Sequence, residues 1–256
     1  MKSFYKGVVS EDEQLLPIES SLLRGDGVFE TLLSIDEKPI AWDRHYARMQ
    51  KAANKTLMTV PAKIDVDLAI AAILKDEIGR NRLRIVCLAD GGWFLTLQPI
   101  AEISESISIT RFPFIRDSRS VLSGIKTLSY SESIIALRHA ENLGFADSIF
   151  LNERDEIVET GLANILVLNQ DGWRTPALSS GCLPGITREL LMIWFGVKES
   201  VMNFDDLLNA KAVYLTSSIR LIQRVDRVEQ KLFSPNAEGT DLIDAFEAKL
   251  LGNLNP

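Results

Sequence analysis

Residues 113–124, PFIRDSRSVLSG, limit the fold more than any other stretch of this chain. They are polar and turn-rich, with proline at the head and glycine at the end, and they read as a linker. On both sides of them, strand-like and helix-like spacings of apolar residues alternate. The expectation is therefore an α/β (α+β) fold with two mixed domains. A smaller N-terminal domain spans 1–112 and a larger C-terminal domain 125–256.

In the first domain, VFETLLSIDEKPIAW predicts two short strands joined by a turn at residues 36–39. DRHYARMQKAANKTL predicts a helix with Asp43 as its N-cap. DVDLAIAAILKDEIG predicts a second helix stopped by Gly79. RLRIVCLADGGWFLTLQP predicts a hairpin around Gly91 and Gly92, and SISITRF a further strand. In the second, SYSESIIALRHAENLG predicts a helix whose shared face is Ile134, Leu137 and Ala140, closed by Gly144. Hairpins follow in SIFLNERDEIVET and NILVLNQDGWRTP, then a helix opened by PGITREL and a strand in AKAVYLTSS. Leu242, Ile243, Phe246 and Leu250 line one face of a last helix.

The 256 residues suffice for one large or two medium domains, and a net charge of −7 argues against a general nucleic-acid surface. Cys87 and Cys182 form no disulfide framework and no CxxC pair. His45 and His139 are too few for a multi-histidine metal site, so no metal is expected. The opening MKSFYKGVVSEDE has no apolar signal core, and no apolar run reaches the roughly 20 residues of a membrane span. A soluble, cytoplasmic protein acting on a small molecule is expected.

SSGCLPGITREL looks like the mouth of a helix built for an anion, because the first N–H groups of a helix have no partner within it. No GxxxxGK[ST] accompanies it, so it is not a nucleotide loop of the Walker kind. Lys126 in GIKTLSY suits a nucleophilic amine, or a surface lysine with a buried stem. Glu159 is a strand-end carboxylate or a solvated turn acid. Arg44 opens a helix, a poor place for a cation by the helix dipole, so it serves an anion or pairs with Asp43 or another acid. Thr216, Ser217 and Ser218 are phosphate-binding hydroxyls or a strand cap. Together, an amine, a carboxylate, a cation and a phosphate cradle are what pyridoxal 5′-phosphate requires.

RGDGVFETLL, WDRHYARM, GIKTLSY, ETGLANILVL, LSSGCLPGITREL and VYLTSSIRLIQRV occur in this order between residues 24 and 225. The chain thereby resembles the fold-type IV pyridoxal-phosphate enzymes. The resemblance implies two domains with the cofactor in the cleft between them, and a homodimer. It makes Lys126 the Schiff-base lysine, Glu159 the acid facing the ring nitrogen, and Arg44 the phosphate arginine. Ile186 and Thr187 become the phosphate-binding helix start, Ser217 and Ser218 the hydroxyl turn. Tyr130 falls, more loosely, where some relatives place a tyrosine near the 3′-oxygen.

The sequence departs from the family's E-G-x-x-S-N, since Glu159 is followed by Thr160, Gly161, Leu162, Ala163 and Asn164. Thr160 is expected to narrow the space by the ring, and Ala163 lacks a hydroxyl. Arg224 replaces the usual proline after the hydroxyl turn. Within the family, Thr31 in GDGVFET and the absence of an Arg-x-His pair in GGWFLTLQP favour an aminodeoxychorismate lyase, which releases pyruvate and 4-aminobenzoate for folate biosynthesis. Thr31 is then catalytic, although a β-branched residue there also suits core packing. The alternative is a class IV aminotransferase using branched-chain or D-amino acids with 2-oxoglutarate.

Overall fold

Strand-period alternation draws six segments of the first half into one sheet. In the computed structural model, which describes residues 1–11 and 20–256, these are β1 (Lys2–Tyr5), β2 (Val8–Ser10), β3 (Gly27–Ile35), β4 (Lys38–Pro39), β5 (Arg80–Leu88) and β6 (Trp93–Pro99). Their order is β2-β1-β6-β5-β3-β4, antiparallel throughout. The helices beside them are α1 (Ser20–Arg24), α2 (Trp42–Lys55) and α3 (Lys63–Leu74). Alternation along β3 gives its two faces different tasks. Val28 and Leu32 join Trp42, Met49 and Ile73 in the core under α2 and α3. Phe29 joins Val86, Leu88 and Phe94 on the opposite face.

The turn after β3 is tighter than expected. Asp36 and Glu37 take positive φ of 44° and 67°, and Lys38 and Pro39 already pair as β4. Asp43 is not the N-cap of α2: Ala41, left-handed at φ 53°, holds that place without a side-chain cap. Asp43 lies in the first turn, where it pairs with Lys63 at 3.0 Å and accepts from Asn255. Gly79 does not close α3, which ends at Leu74 with Lys75 as C-cap. Asp76, at φ 63° with its N–H on Glu37, turns the chain first, and Gly79 leads into β5.

Residues 125–130 belong to this unit. The N–H of Phe29 donates to Lys126 O at 3.0 Å, and the N–H of Leu128 to Gly27 O at 2.9 Å. A Cβ on Gly27 would lie 2.5 Å from Cys87 O, so only glycine fits between β5 and the lysine segment. The first compact unit is therefore Met1–Glu102 with Ile125–Tyr130 and Gly252–Pro256.

The second unit, Ile103–Gly124 with Ser131–Leu251, is also mixed α/β. It holds β7 (Ser106–Arg111), α4 (Ser131–Asn142), β8 (Asp147–Leu151), β9 (Ile157–Thr160), β10 (Asn164–Asn169), β11 (Gly172–Pro176), α5 (Ile186–Phe195), β12 (Lys198–Ser200), α6 (Phe204–Leu208), β13 (Ala212–Ser217), β14 (Leu221–Val228), β15 (Lys231–Leu232) and most of α7 (Ala237–Gly252). Its sheet runs β12-β11-β10-β13-β14-β7-β8-β9, with β15 on β14.

The division differs from a simple cut at residues 113–124. β7, placed by the sequence in the first domain, pairs in parallel with β14 and β8 and so joins the second. Residues 113–124 lie in the second unit too, anchored where the N–H of Arg116 donates to Leu151 O at 2.8 Å. The buried face of α4 is Ser133, Ala136 and Ala140, whereas Ile134 is exposed. On α7, Leu242, Phe246 and Leu250 are buried as expected. Among the described residues, no helix is long and apolar enough to cross a membrane.

Candidate active site

In the first unit, the lysine segment brings Lys126 to the Phe29 face of β3. Its Nζ lies 4.5 Å from the Phe29 ring centroid and 5.6 Å from that of Tyr130. The two rings meet edge-on, 5.4 Å apart. Thr31, two residues beyond Phe29, shares this face rather than the helix-covered core. Directly opposite it across the ladder stands Arg84, whose Nε donates to Thr31 Oγ1 at 3.3 Å. The Arg84 guanidinium also lies 5.1 Å from the Phe29 centroid. Burial and the neighbouring Arg82 charge lower the Arg84 pKa. An amine, a hydroxyl and a guanidinium thus stand around one aromatic ring.

Arg44 lies in the first turn of α2, and its Nε donates to Pro256 O at 2.8 Å. Below it is a buried charge cluster. Glu30 Oε2 meets His45 Nδ1 at 2.7 Å, and Glu30 Oε1 accepts from Arg48 Nε at 2.9 Å. Burial alone would raise the Glu30 carboxyl, but the Arg48 charge and the His45 contacts outweigh it and hold it at about 2. Glu30 therefore adds stability above its unfolded value of 4.5, and the contribution is lost as pH falls from there toward about 2. Glu30→Gln leaves Arg48 short of its counter-charge in the interior. We expect a loss of about 3–5 kcal/mol at neutral pH, hence a fall in Tm on the order of 10 °C. A calorimetric Tm within 2 °C or so of wild type would remove the cluster from the stability of this unit.

In the second unit, three sequence-expected groups come together through Asn164. Glu159 Oε2 accepts from Asn164 Nδ2 at 3.3 Å and from the N–H of Leu183 at 3.0 Å. Asn164 Nδ2 also donates to Leu183 O at 2.9 Å. A Cβ on Gly185, the N-cap of α5, would overlap Asn164 Oδ1, so the helix start lies against the same side chain. The first bond within α5 runs from Glu189 N–H to Gly185 O, which leaves the N–H groups of Ile186 and Thr187 ahead of it. Both residues are buried. Asn164 is also opposite Thr216 in the β10–β13 ladder, which puts Ser217 and Ser218 just beyond it.

Arg116, which the sequence placed only in a polar stretch, donates to Glu159 Oε1 at 2.7 Å and stacks 3.6 Å from the Phe150 centroid. Its guanidinium gives Glu159 a charge-assisted hydrogen bond. Thr160 does not crowd the Glu159 side of the strand. Its hydroxyl donates to Asp147 Oδ2 at 2.9 Å and accepts from the N–H of Ala163 at 3.1 Å. That contact closes the 160–163 turn, where the family's serine is missing. Arg224, in place of the proline, donates to Phe233 O at 3.3 Å. No local pattern marks Arg84, Arg116 or Asp147, because each takes its meaning from a strand or loop distant in sequence.

Residues 27–228 match the class IV amino-transferase family, and the chain belongs to it. The family depends on pyridoxal 5′-phosphate. The aminodeoxychorismate lyase of Vibrio harveyi is 23% identical over 93% of this chain and 94% of its own length. Branched-chain-amino-acid aminotransferase 6 of Arabidopsis thaliana is 30% identical over 89% of this chain and 74% of its own. Among solved structures, the PLP-bound form of a hypothetical aminotransferase from Mycobacterium tuberculosis has a TM-score of 0.88 at 18% identity, covering 98% of this chain and 99% of that one. That likeness is one of fold. The donors present suit the cofactor's phosphate: N–H groups at a glycine-capped helix start and a hydroxyl turn beside it.

Proposed function

We propose that the chain is a cytoplasmic, homodimeric 4-amino-4-deoxychorismate lyase that releases pyruvate and 4-aminobenzoate, a step of folate biosynthesis. The observation carrying this reading is the grouping of Thr31, Arg84 and Lys126 about Phe29. It provides a hydroxyl to relay or hold a proton, a cation for a substrate carboxylate and an amine for the α-proton. A relative of similar length, named an aminodeoxychorismate lyase, supports it as well. The homodimer is supported by the exposed apolar side chains of Phe114, Ile115 and Val121.

Bound pyridoxal phosphate supplies the electron sink for charge left at the substrate's α-carbon. Lys126 is the residue that would hold the cofactor, and its amine would take up the substrate's α-proton. Glu159, paired with Arg116 at 2.7 Å, would face the ring nitrogen and hold a proton there. Arg44, the N–H groups of Ile186 and Thr187, the Thr187 hydroxyl, Ser217 and Ser218 would hold the phosphate, and Tyr130 would serve the ring's 3′-oxygen. Arg84 orients a carboxylate of the substrate, a role that GGWFLTLQP, lacking Arg and His, does not fill.

A second reading rests on the 30% identity to a branched-chain aminotransferase. One experiment separates the two. Purified protein with aminodeoxychorismate is followed for pyruvate and 4-aminobenzoate, and in parallel with branched-chain or D-amino acids and 2-oxoglutarate for amino transfer. The lyase reading expects the first pair of products. It also expects Thr31→Val, which keeps the shape and drops the hydroxyl, to slow 4-aminobenzoate release at least about tenfold with the cofactor spectrum intact. Unchanged release would make Thr31 a packing residue. Amino transfer without 4-aminobenzoate would replace the lyase by the aminotransferase.

A further inference from the structure

The turn between β13 and β14 carries a cation that the phosphate assignment leaves unused. Arg220 is locked into this turn, for its N–H donates to Ser217 Oγ at 3.2 Å. Its side chain is 21% exposed, and Nη1 is buried without a hydrogen-bond acceptor. The carboxylate nearest that nitrogen, Asp147 Oδ2, is 3.9 Å away, beyond hydrogen-bonding reach. Asp147 is fully buried and already engaged. It accepts from the N–H of Ser148 at 2.8 Å, from Thr160 Oγ1 at 2.9 Å and from the N–H of Gly161 at 2.9 Å. It cannot tilt toward Arg220 without breaking the contacts that close the turn after Glu159.

A guanidinium N–H cut off from both water and an acceptor is costly. Here the cost falls on a residue of the turn that follows Thr216, the residue opposite Asn164 in the β10–β13 ladder. An arriving phosphate offers that N–H the acceptor that Asp147 does not. We propose that Arg220 is a further phosphate ligand of this site: Asp147 keeps it in place by charge alone, and it donates to the cofactor's phosphate when that group is bound. The inference rests on the cofactor assignment above.

Its test is equilibrium binding rather than turnover. The full chain, freed of cofactor, is titrated with pyridoxal phosphate and separately with pyridoxal, followed by fluorescence and absorbance. Arg220→Gln should raise the Kd for pyridoxal phosphate about tenfold or more and leave that for pyridoxal unchanged. Arg220→Lys should recover part of the loss. Asp147→Asn, which removes the competing charge, should leave the Kd for pyridoxal phosphate equal to wild type or lower. If Arg220 only braces Asp147, both Arg220→Gln and Asp147→Asn weaken pyridoxal and pyridoxal phosphate alike, and the proposal fails. It fails equally if Arg220→Gln binds pyridoxal phosphate as wild type does. Wild-type protein that binds no pyridoxal phosphate at all would overturn the cofactor assignment itself.

Discussion

Lys126→Ala should yield a folded protein that does not hold the cofactor covalently and has lost turnover by about four orders of magnitude or more, if Lys126 is the attachment lysine proposed above. The backbone bond from Phe29 N–H to Lys126 O needs no side chain, so the lysine segment keeps its place along β3. What disappears is the amine 4.5 Å from the Phe29 ring. A positioned proton-transfer group alone contributes roughly 10²–10⁴ in rate, and the covalent attachment is lost with it. Borohydride reduction of wild type, followed by peptide mapping, should find the cofactor on Lys126, and the variant should show no visible band fixed by reduction. A reduced cofactor mapped to any other lysine would refute the assignment. A surface lysine with a buried stem, the plainer alternative, predicts unaltered turnover.

Elements whose boundaries are set by local chemistry were legible in the sequence. Both hairpins of the second unit, the one at Gly91 and Gly92, and the start of α5 follow from turn residues and strand alternation. What escaped depends on partners far away. β7 carries an ordinary strand pattern, but only its parallel pairing with β14 and β8 decides which unit owns it. The lysine segment looks like the entry to α4, yet its hydrogen bonds go to β3, some hundred residues earlier. Helix ends were misjudged where backbone strain overrode residue habit. Ala41 in the left-handed region caps α2 although Asp43 is the better capping residue. On α4 the buried face is Ser133, Ala136 and Ala140 because small residues let the helix approach the sheet, and counting apolar residues favours Ile134 instead.

The site divides in the same way. Residues named through their motifs stand where strand ends and helix starts can hold them. Their supports had no recognised role in any motif. Glu30, Arg84, Arg116 and Asp147 are charged residues in strands or loops, where charge ordinarily means solvent. Glu30 in GVFETLL obeys strict alternation on a core-facing position, and a buried acid there implies buried cations. That was the one available clue, and Arg48 on α2 answers it as the cation, with His45 one turn earlier as a hydrogen-bond partner.

Glu159→Gln tests the other end of the chemistry. The carboxylate receives Arg116, Asn164 and the N–H of Leu183, three donors for two oxygens, so its position is set by the protein before any cofactor enters. Glutamine keeps the length and one acceptor oxygen but loses the charge, and with it the means to hold a proton on a pyridine nitrogen. The proposed phosphate ligands are other residues, so cofactor affinity should stay within a few-fold of wild type. Turnover should fall about a hundredfold or more, the scale on which removing one preorganised charge-stabilising group slows an enzyme. The separation of the two readouts carries the test. A solvated turn acid would leave turnover unchanged. A brace for the loop at Leu183 would weaken cofactor binding and Tm together with turnover. Only a kcat that collapses while Kd and Tm hold assigns Glu159 to the ring nitrogen, and restoration of turnover by Glu159→Asp at reduced rate would show that the charge, not the packing, is what the site requires.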